Sequence, residues 1–302
     1  MKRFLFFLSL AWIAAASAAA AQVRVVTTTT DSASIVQAVG GSEVVVESLT
    51  RGSSDPHFAQ AKPSMIRQAY DADLLVLIGA DLEIGWLPAV LQSARNPDIL
   101  PGQPGHLDLS TFVRRLEMPT GPVTRAMGHV HAKGNPHFWL DPRNGVVIAR
   151  AIASRLAAID PEHAETYKAN AKAFAATIDE RMAAWREAMA PLAGRKVVTK
   201  HKSLVYLADA FGFSVVTEIE PMPGVEPSAA QLKSLVATIE SENVAAILVE
   251  PLYDLRPAEF LSQETGVPLA VVPQSVGALD GVDDYVGLFE RIVAEIRKAG
   301  II

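Results

Sequence analysis

The chain has no cysteine among its 302 residues. That absence excludes a disulfide framework, a thiolate zinc site, an iron–sulfur cluster and a cysteine nucleophile. Any metal site must draw on His, Asp, Glu or amide oxygen. Positive charge is in short supply too, with 27 basic against 33 acidic residues and a formal charge of −6. A nucleic-acid binder usually shows a basic face, so no nucleic-acid partner is expected. Familiar enzyme signatures are missing. There is no HExxH or GxSxG motif, and GADLEIG does not fit the GxGxxG of dinucleotide binders. What is abundant is apolar side chain, at 50% of the sequence. That is too much for a disordered chain, and a chain of this length can bury one large core or two ordinary ones.

The opening stretch, MKRFLFFLSLAWIAAASAAAA, carries Lys2 and Arg3, then an apolar run, then small residues ending at Ala21. This is the pattern of a secretory signal, so residues 1–21 are expected to be a cleaved signal peptide. The alternative is a membrane anchor, since about 20 apolar residues can just span a bilayer. No Cys follows the run, so a lipid-anchored cysteine is excluded. Removal of the two basic residues takes the charge to about −8. The expected location is the periplasm.

Beyond it, β-rich runs alternate with helical spacing. VRVVTTTT, SEVVVESLT and DLLVLIGA read as strands, and the segments after the first two read as helices. That alternation predicts a parallel α/β sheet. Residues 96–110 and 119–136 have loop composition. A long helical stretch from Asn144 is broken at Asp160-Pro161-Glu162. Its second helix, over about Glu162–Met189, is unusually long and could join two lobes. The pattern then restarts with KVVTK, SVVTEIE, VAAILVE and PLAVVPQ, separated by helices at 203–211, 228–242 and 257–265, with a last helix at 282–298. The expected fold is α/β, two lobes with mostly parallel sheets joined by a single long backbone helix. The expected division is residues 22–160, 161–190 and 191–302. The strands of the second unit end in His201, Glu220, Glu250 and Gln274. Ligands of open parallel sheets bind outside the carboxyl ends of strands, so chemistry is expected there.

Three of the seven histidines stand at such strand ends or beside Pro-fixed turns: His57 in SSDPHFAQAKPS, His137 in GNPHFWLDP and His201 in VVTKHKSL. Two share Pro-His-Phe, and a proline is an economical way to aim an imidazole rigidly. Each alone is better explained as a hydrogen-bonded or exposed histidine. Three together suit a divalent ion, zinc above all.

These segments carry a resemblance. With DADLLVLIGADLEIGW, VVTKHKSLVYLADAFGF and GVEPSAAQLKSLVATIESENVAAILVE, in this order, the chain resembles the solute-binding components of bacterial zinc and manganese ABC transporters. The resemblance covers essentially all of the chain after residue 21. It implies two α/β lobes, one rigid helix, and one metal ion between the lobes delivered to a membrane permease. His57, His137 and His201 fall on the first three ligand positions. Histidine at the third resembles zinc-type members, where manganese-type members often place glutamate, and ligand softness agrees. Manganese or another divalent ion remains open. The family's fourth ligand, an Asp, is expected where this chain has Pro273-Gln274. Water, Glu250 or Asp280 could complete the shell. Glu250 is the preferred choice, because neighbouring strand ends share a crevice; it could also merely orient a histidine.

Other readings are plainer. His129 and His131 sit in a loop that could capture metal or simply be exposed. His106 and His163 read as surface residues, Trp86 and Trp139 as packing near the site, and Asp141 as a helix cap. Asn135 is either a turn residue or a donor to the site, and Lys200 and Lys202 read as solvated charges. The expected function is a monomeric metal-binding transport protein, not an enzyme. A zinc hydrolase using the same histidines, with Glu250 as base, is the competing reading. A siderophore or haem binder of similar shape is a weaker one.

Overall fold

The computed structural model describes residues 22–119, 121, 132–222 and 224–302. The expected signal peptide and the pair His129 and His131 lie outside the described residues.

The first lobe runs β1 (Val23–Thr27), α1 (Thr30–Gly40), β2 (Val44–Ser48), α2 (Pro63–Asp71), β3 (Leu74–Leu77), α3 (Leu87–Ala94) and β4 (His106–Asp108). Two helices follow, α4 (Pro142–Ile159) and α5 (Ala164–Met189). The second lobe runs β5 (Lys196–Thr199), α6 (Val205–Phe211), β6 (Ser214–Glu218), α7 (Ala229–Ser241), β7 (Ala246–Val249), α8 (Arg256–Thr265), β8 (Leu269–Val271) and α9 (Tyr285–Lys298). Both sheets are four-stranded and parallel, in the orders β2-β1-β3-β4 and β6-β5-β7-β8. The two lobes therefore share one strand order without a visible sequence repeat. Central β3 and β7 are buried at every residue, which is why LLVL and AILV are continuous apolar runs.

The fold is the expected one, with local differences. α3 and β4 lie where no element was read. Three residues of β4 are too few to show a periodicity, and Pro, Gly and Asn around it mask the strand. His106 is consequently half-buried on β4, with Nδ1 2.8 Å from the Ile99 carbonyl, rather than a plain surface residue.

α5 is about 39 Å long at 1.5 Å per residue. It is no bare strut. Tyr167, Phe174, Ile178, Met182 and Trp185 are buried along it. Asn170 ties it to α1 through the Val39 carbonyl at 2.9 Å, and Trp185 stacks on Phe289 of α9 with centroids 5.3 Å apart. One apolar cluster runs through Val36 of α1, Ile152 of α4, Ile178 of α5, Leu248 of β7 and Phe289 of α9, so a single core spans both lobes. Gly145 of α4 admits Tyr285, since a Cβ there would stand 2.4 Å from the tyrosine ring.

Polar contacts add a seam. The loop after β8 meets the first lobe through Thr30 Oγ1 on the Val276 carbonyl at 2.7 Å, the Val276 N–H on Asp31 Oδ1 at 2.9 Å, and Gln274 Nε2 on the Gly52 carbonyl at 3.2 Å. Among the described residues, no helix is long and apolar enough to cross a membrane.

Candidate metal centre

Asp55-Pro56-His57-Phe58 and Asn135-Pro136-His137-Phe138 build two imidazoles in the same way. In each, the Asp or Asn side chain accepts from the histidine backbone N–H, at 2.9 Å from Asp55 and 3.0 Å from Asn135. The same oxygen meets the histidine Nδ1, at 2.7 Å and 2.9 Å. This is a local Asx turn that fixes backbone and ring together, with Pro setting φ between them. Trp86 Nε1 braces the first turn by donating to the Pro56 carbonyl at 2.8 Å. Trp139 packs its ring 5.2 Å from that of His137 and donates to the Gln274 carbonyl at 2.8 Å. Asp141 caps α4, accepting from the Arg143 N–H.

His201 follows β5 and has no such turn. Its Nδ1 is met by Glu220 Oε1, from beyond the end of the neighbouring β6. Burial opposes its protonation, but the hydrogen bond and charge of Glu220 outweigh that and raise the imidazole above its ordinary value. At Asp55 burial likewise opposes ionisation, yet the hydrogen bond and charge of His57 prevail and lower the carboxyl.

The three rings converge. Their centroids stand 5.1 Å (His57–His137), 5.5 Å (His57–His201) and 5.2 Å (His137–His201) apart. One ligand atom from each falls within 4.8 Å of the other two, and among the described residues this is the one grouping of three or more His, Asp or Glu able to hold an ion. Each Nδ1 already meets an oxygen, so coordination would fall to the Nε2 atoms. His137 and His201 are buried, at 4% and 6% exposure.

Glu250 is outside that grouping of atoms. It sits fully buried at the end of β7, where Ser203 Oγ donates to its Oε1. Burial pushes its carboxyl up to about 7, against the pull of Ser203 and His201. β5 and β7 are where the strand order of the second sheet turns, so His201 and Glu250 share the crevice expected of such a point. Two buried oxygens here, Glu250 Oε2 and Gln274 Oε1, have no hydrogen-bond partner among the described residues. Asp280, the third candidate, lends its carbonyl to Arg291 at 3.2 Å.

Of the two lysines flanking His201, Lys202 is the solvated charge expected and Lys200 is not. Lys200 is 1% exposed and pairs with Glu226 at 2.7 Å; it is a buried cation rather than a solvated one. Lys202 is half-exposed and reaches Glu117 at 3.3 Å. His163 lies between Asp160 Oδ2 at 2.7 Å and Glu43 Oε2 at 3.4 Å, away from the centre. Neither the holding role of Asp55 nor that of Glu220 was read from sequence. The first was legible in the repeated Asx-Pro-His-Phe. The second shows only as one polar strand end among four.

Comparison with known proteins gives one consistent picture. Residues 25–299 match the family described as ZnuA, zinc-uptake complex component A, periplasmic. The chain is 29% identical to the iron-binding protein YfeA of Yersinia pestis, over 87% of this chain and 82% of that one. It is 26% identical to the manganese ABC transporter substrate-binding lipoprotein PsaA of Streptococcus pneumoniae, over 89% and 80%. It is similar in structure to ZnuA, with a TM-score of 0.77, 25% identity, and coverage of 92% of this chain and 99% of that one. A Mn-bound periplasmic metal-binding protein from Candidatus Liberibacter asiaticus shares the fold at a TM-score of 0.75 and 21% identity, over 93% and 100%.

Proposed function

The chain belongs to the ZnuA family of metal-binding components of ABC transporters, and from that premise we propose that it captures a zinc ion in the periplasm and yields it to a membrane permease. Members of this family bind solute for transport and are not enzymes, so the hydrolase alternative loses its footing. The observation that carries the zinc reading is the donor set. Three neutral imidazoles, drawn from both lobes within 4.8 Å, suit a borderline-soft ion better than manganese, which favours carboxylates.

In this reading His57, His137 and His201 exchange the ion's water shell for Nε2 atoms. Glu250 supplies a carboxylate beside them, close enough for its charge to act on His201. Its Oε2, without a hydrogen-bond partner among the described residues, is available to the ion or to an ordered water on it. An uncompensated +2 charge in a buried cleft is costly, and Asp55 and Glu220 add negative charge one ring away. The lobes are taken as residues 22–160 and 191–302 with the segment 161–190 between them, working as a monomer. The shared core supports capture by small local movement rather than wide opening.

The test is elemental analysis of protein purified without a chelating tag, beside His57→Ala, His137→Ala and His201→Ala. About one zinc per chain in the parent and loss in each variant is expected. Unchanged metal in all three variants would falsify the assignment. Manganese or iron in place of zinc would keep the site and overturn the choice of ion.

A further inference from the structure

Glu220 uses both of its carboxylate oxygens. Oε1 meets His201 Nδ1, and Oε2 accepts from the backbone N–H of Gly224 at 3.0 Å. Gly224 is held in a tight reversal in which Val225 N–H donates to the Met222 carbonyl at 2.9 Å. Its φ of +79° lies in the left-handed region that favours glycine. A Cβ at Gly224 would stand 3.2 Å from Phe58 Cζ, so the backbone there rests on that ring. Phe58 directly follows His57, with the two rings 6.2 Å apart. The contacts thus run from His201 through Glu220 and Gly224 across the cleft to Phe58, and end beside the first imidazole. Nearby, buried Lys200 holds Glu226 at 2.7 Å, so the chain beyond Gly224 is tied back to the residue preceding His201. Phe58, Met222 and Val225 are 49%, 42% and 43% exposed, which places this apolar contact at the mouth of the cleft.

We infer that Glu220 is a positioning residue that couples coordination at His201 to the seating of the Gly224 reversal against Phe58, so that the bound ion is retained in part by this contact. The inference rests on the metal-site reading above. The physical reason is that one carboxylate keeps both hydrogen bonds in only one orientation. An ion on Nε2 fixes the imidazole plane, and its Nδ1–H then fixes Glu220. Glu220 in turn fixes the Gly224 N–H. With the ring free to turn, the reversal loses its inner anchor and keeps its own Val225–Met222 hydrogen bond and the Lys200–Glu226 pair. Asp55 is tied differently: one oxygen, Oδ1, takes both the ring and the backbone N–H of His57, and Oδ2 meets only the Tyr253 hydroxyl, at a long 3.5 Å.

The experiment uses the full chain with zinc chloride as probe. Glu220→Gln is nearly isosteric, but its amide puts an NH2 donor where one of the two accepting oxygens stood, so it cannot accept from His201 Nδ1–H and the Gly224 N–H through separate oxygens. The expected result is about 10–100-fold weaker zinc binding, the range for a partner of a metal-bound histidine, with faster release into a chelator. Amide exchange at Gly224 and Val225 gives a readout that general destabilisation does not mimic. Zinc slows it in the parent and leaves it unchanged in Glu220→Gln. Phe58→Ala, at an exposed site that leaves both Glu220 hydrogen bonds in place, speeds release while zinc still slows exchange at Gly224. Zinc affinity in Glu220→Gln equal to the parent's, or exchange at Gly224 indifferent to zinc in the parent, overturns the inference. No zinc binding by the parent, or undiminished binding by His201→Ala, instead overturns the metal-site reading beneath it.

Discussion

The two halves of the proposed metal centre are held by different means. On the first lobe, His57 and His137 are each fixed by a side chain two residues upstream, through one oxygen that takes both a backbone N–H and the ring. On the second, His201 depends on Glu220, nineteen residues away in sequence. The first arrangement begins in a local turn, to which tertiary contacts are added: Asn135 Nδ2 donates to the Lys202 carbonyl at 2.7 Å, and the Tyr253 hydroxyl meets Asp55 Oδ2 at 3.5 Å. The second exists only when β5 and β6 have paired and the segment beyond β6 has returned to the cleft. One half of the site therefore has its holders within the local turn, and the other draws its holder from a distant part of the chain.

That contrast is open to direct attack. The largest effect is expected from the ligands. Alanine at His57, His137 or His201 should weaken zinc binding by more than the roughly 100-fold upper range for outer partners, measured by competition with a chelator. Equal losses at all three would confirm shared coordination, and a negligible loss at one would remove it from the site.

The holders come next. Asp55→Ala and Asn135→Ala should each cost about 10–100-fold. Asp55→Asn should cost less than Asp55→Ala, because it reproduces the device already present at Asn135. If Asp55→Asn proves as damaging as alanine, charge rather than geometry is what Asp55 contributes, and the likeness of the two turns is superficial.

Proton competition gives the contrast a pH axis. Imidazolium cannot bind metal, so affinity is full well above the imidazole value and falls as pH drops through it, by about tenfold per pH unit for each proton displaced. At His201 burial lowers that value, but Glu220 raises it more, to a net position above the ordinary one. The fall should therefore begin at higher pH than an isolated imidazole would give. Calorimetric zinc titrations between about pH 5 and 8 check this, and a flat profile would sink the three-histidine site.

The smallest effect concerns the seam. Burial pushes the Asp31 carboxyl up to about 7, with hydrogen bonds from Val276 and Ser275 only partly offsetting it. The folded value lies above the ordinary one of about 3.9, so the stability it contributes is full below about pH 4 and is lost as pH rises through about 7. Asp31→Asn keeps an oxygen for the Val276 N–H. It should raise Tm at pH 8, by roughly 2–4 °C for each kcal/mol recovered, and by less at pH 5.

Much of this was legible beforehand, for reasons that differ by residue. Buried parallel strands such as LLVL and AILV declare themselves as apolar runs, and α5 declares itself by spacing. His57 and His137 were legible because their setting is local. His201 was legible as a polar strand end, but its holder was not, since no local pattern links positions 201 and 220. The burial of Lys200 does not show in the sequence, because a Lys-His-Lys run suggests solvent and its partner Glu226 lies well along the chain. β4 escaped because three residues carry no period. Position 274 was marked as a departure, and its side-chain nitrogen turns out to serve the seam at Gly52.

The core shared by α1, α4, α5 and α9 has a consequence for how the molecule comes apart. With Val36, Ile178, Leu248 and Phe289 in one apolar cluster, the inner faces of both lobes share a core. Heating is expected to give a single cooperative transition, and an ion held between the lobes raises it for the whole chain by mass action. On the proposed function, the loaded form is expected to open more rarely than the empty one and to resist proteolysis better.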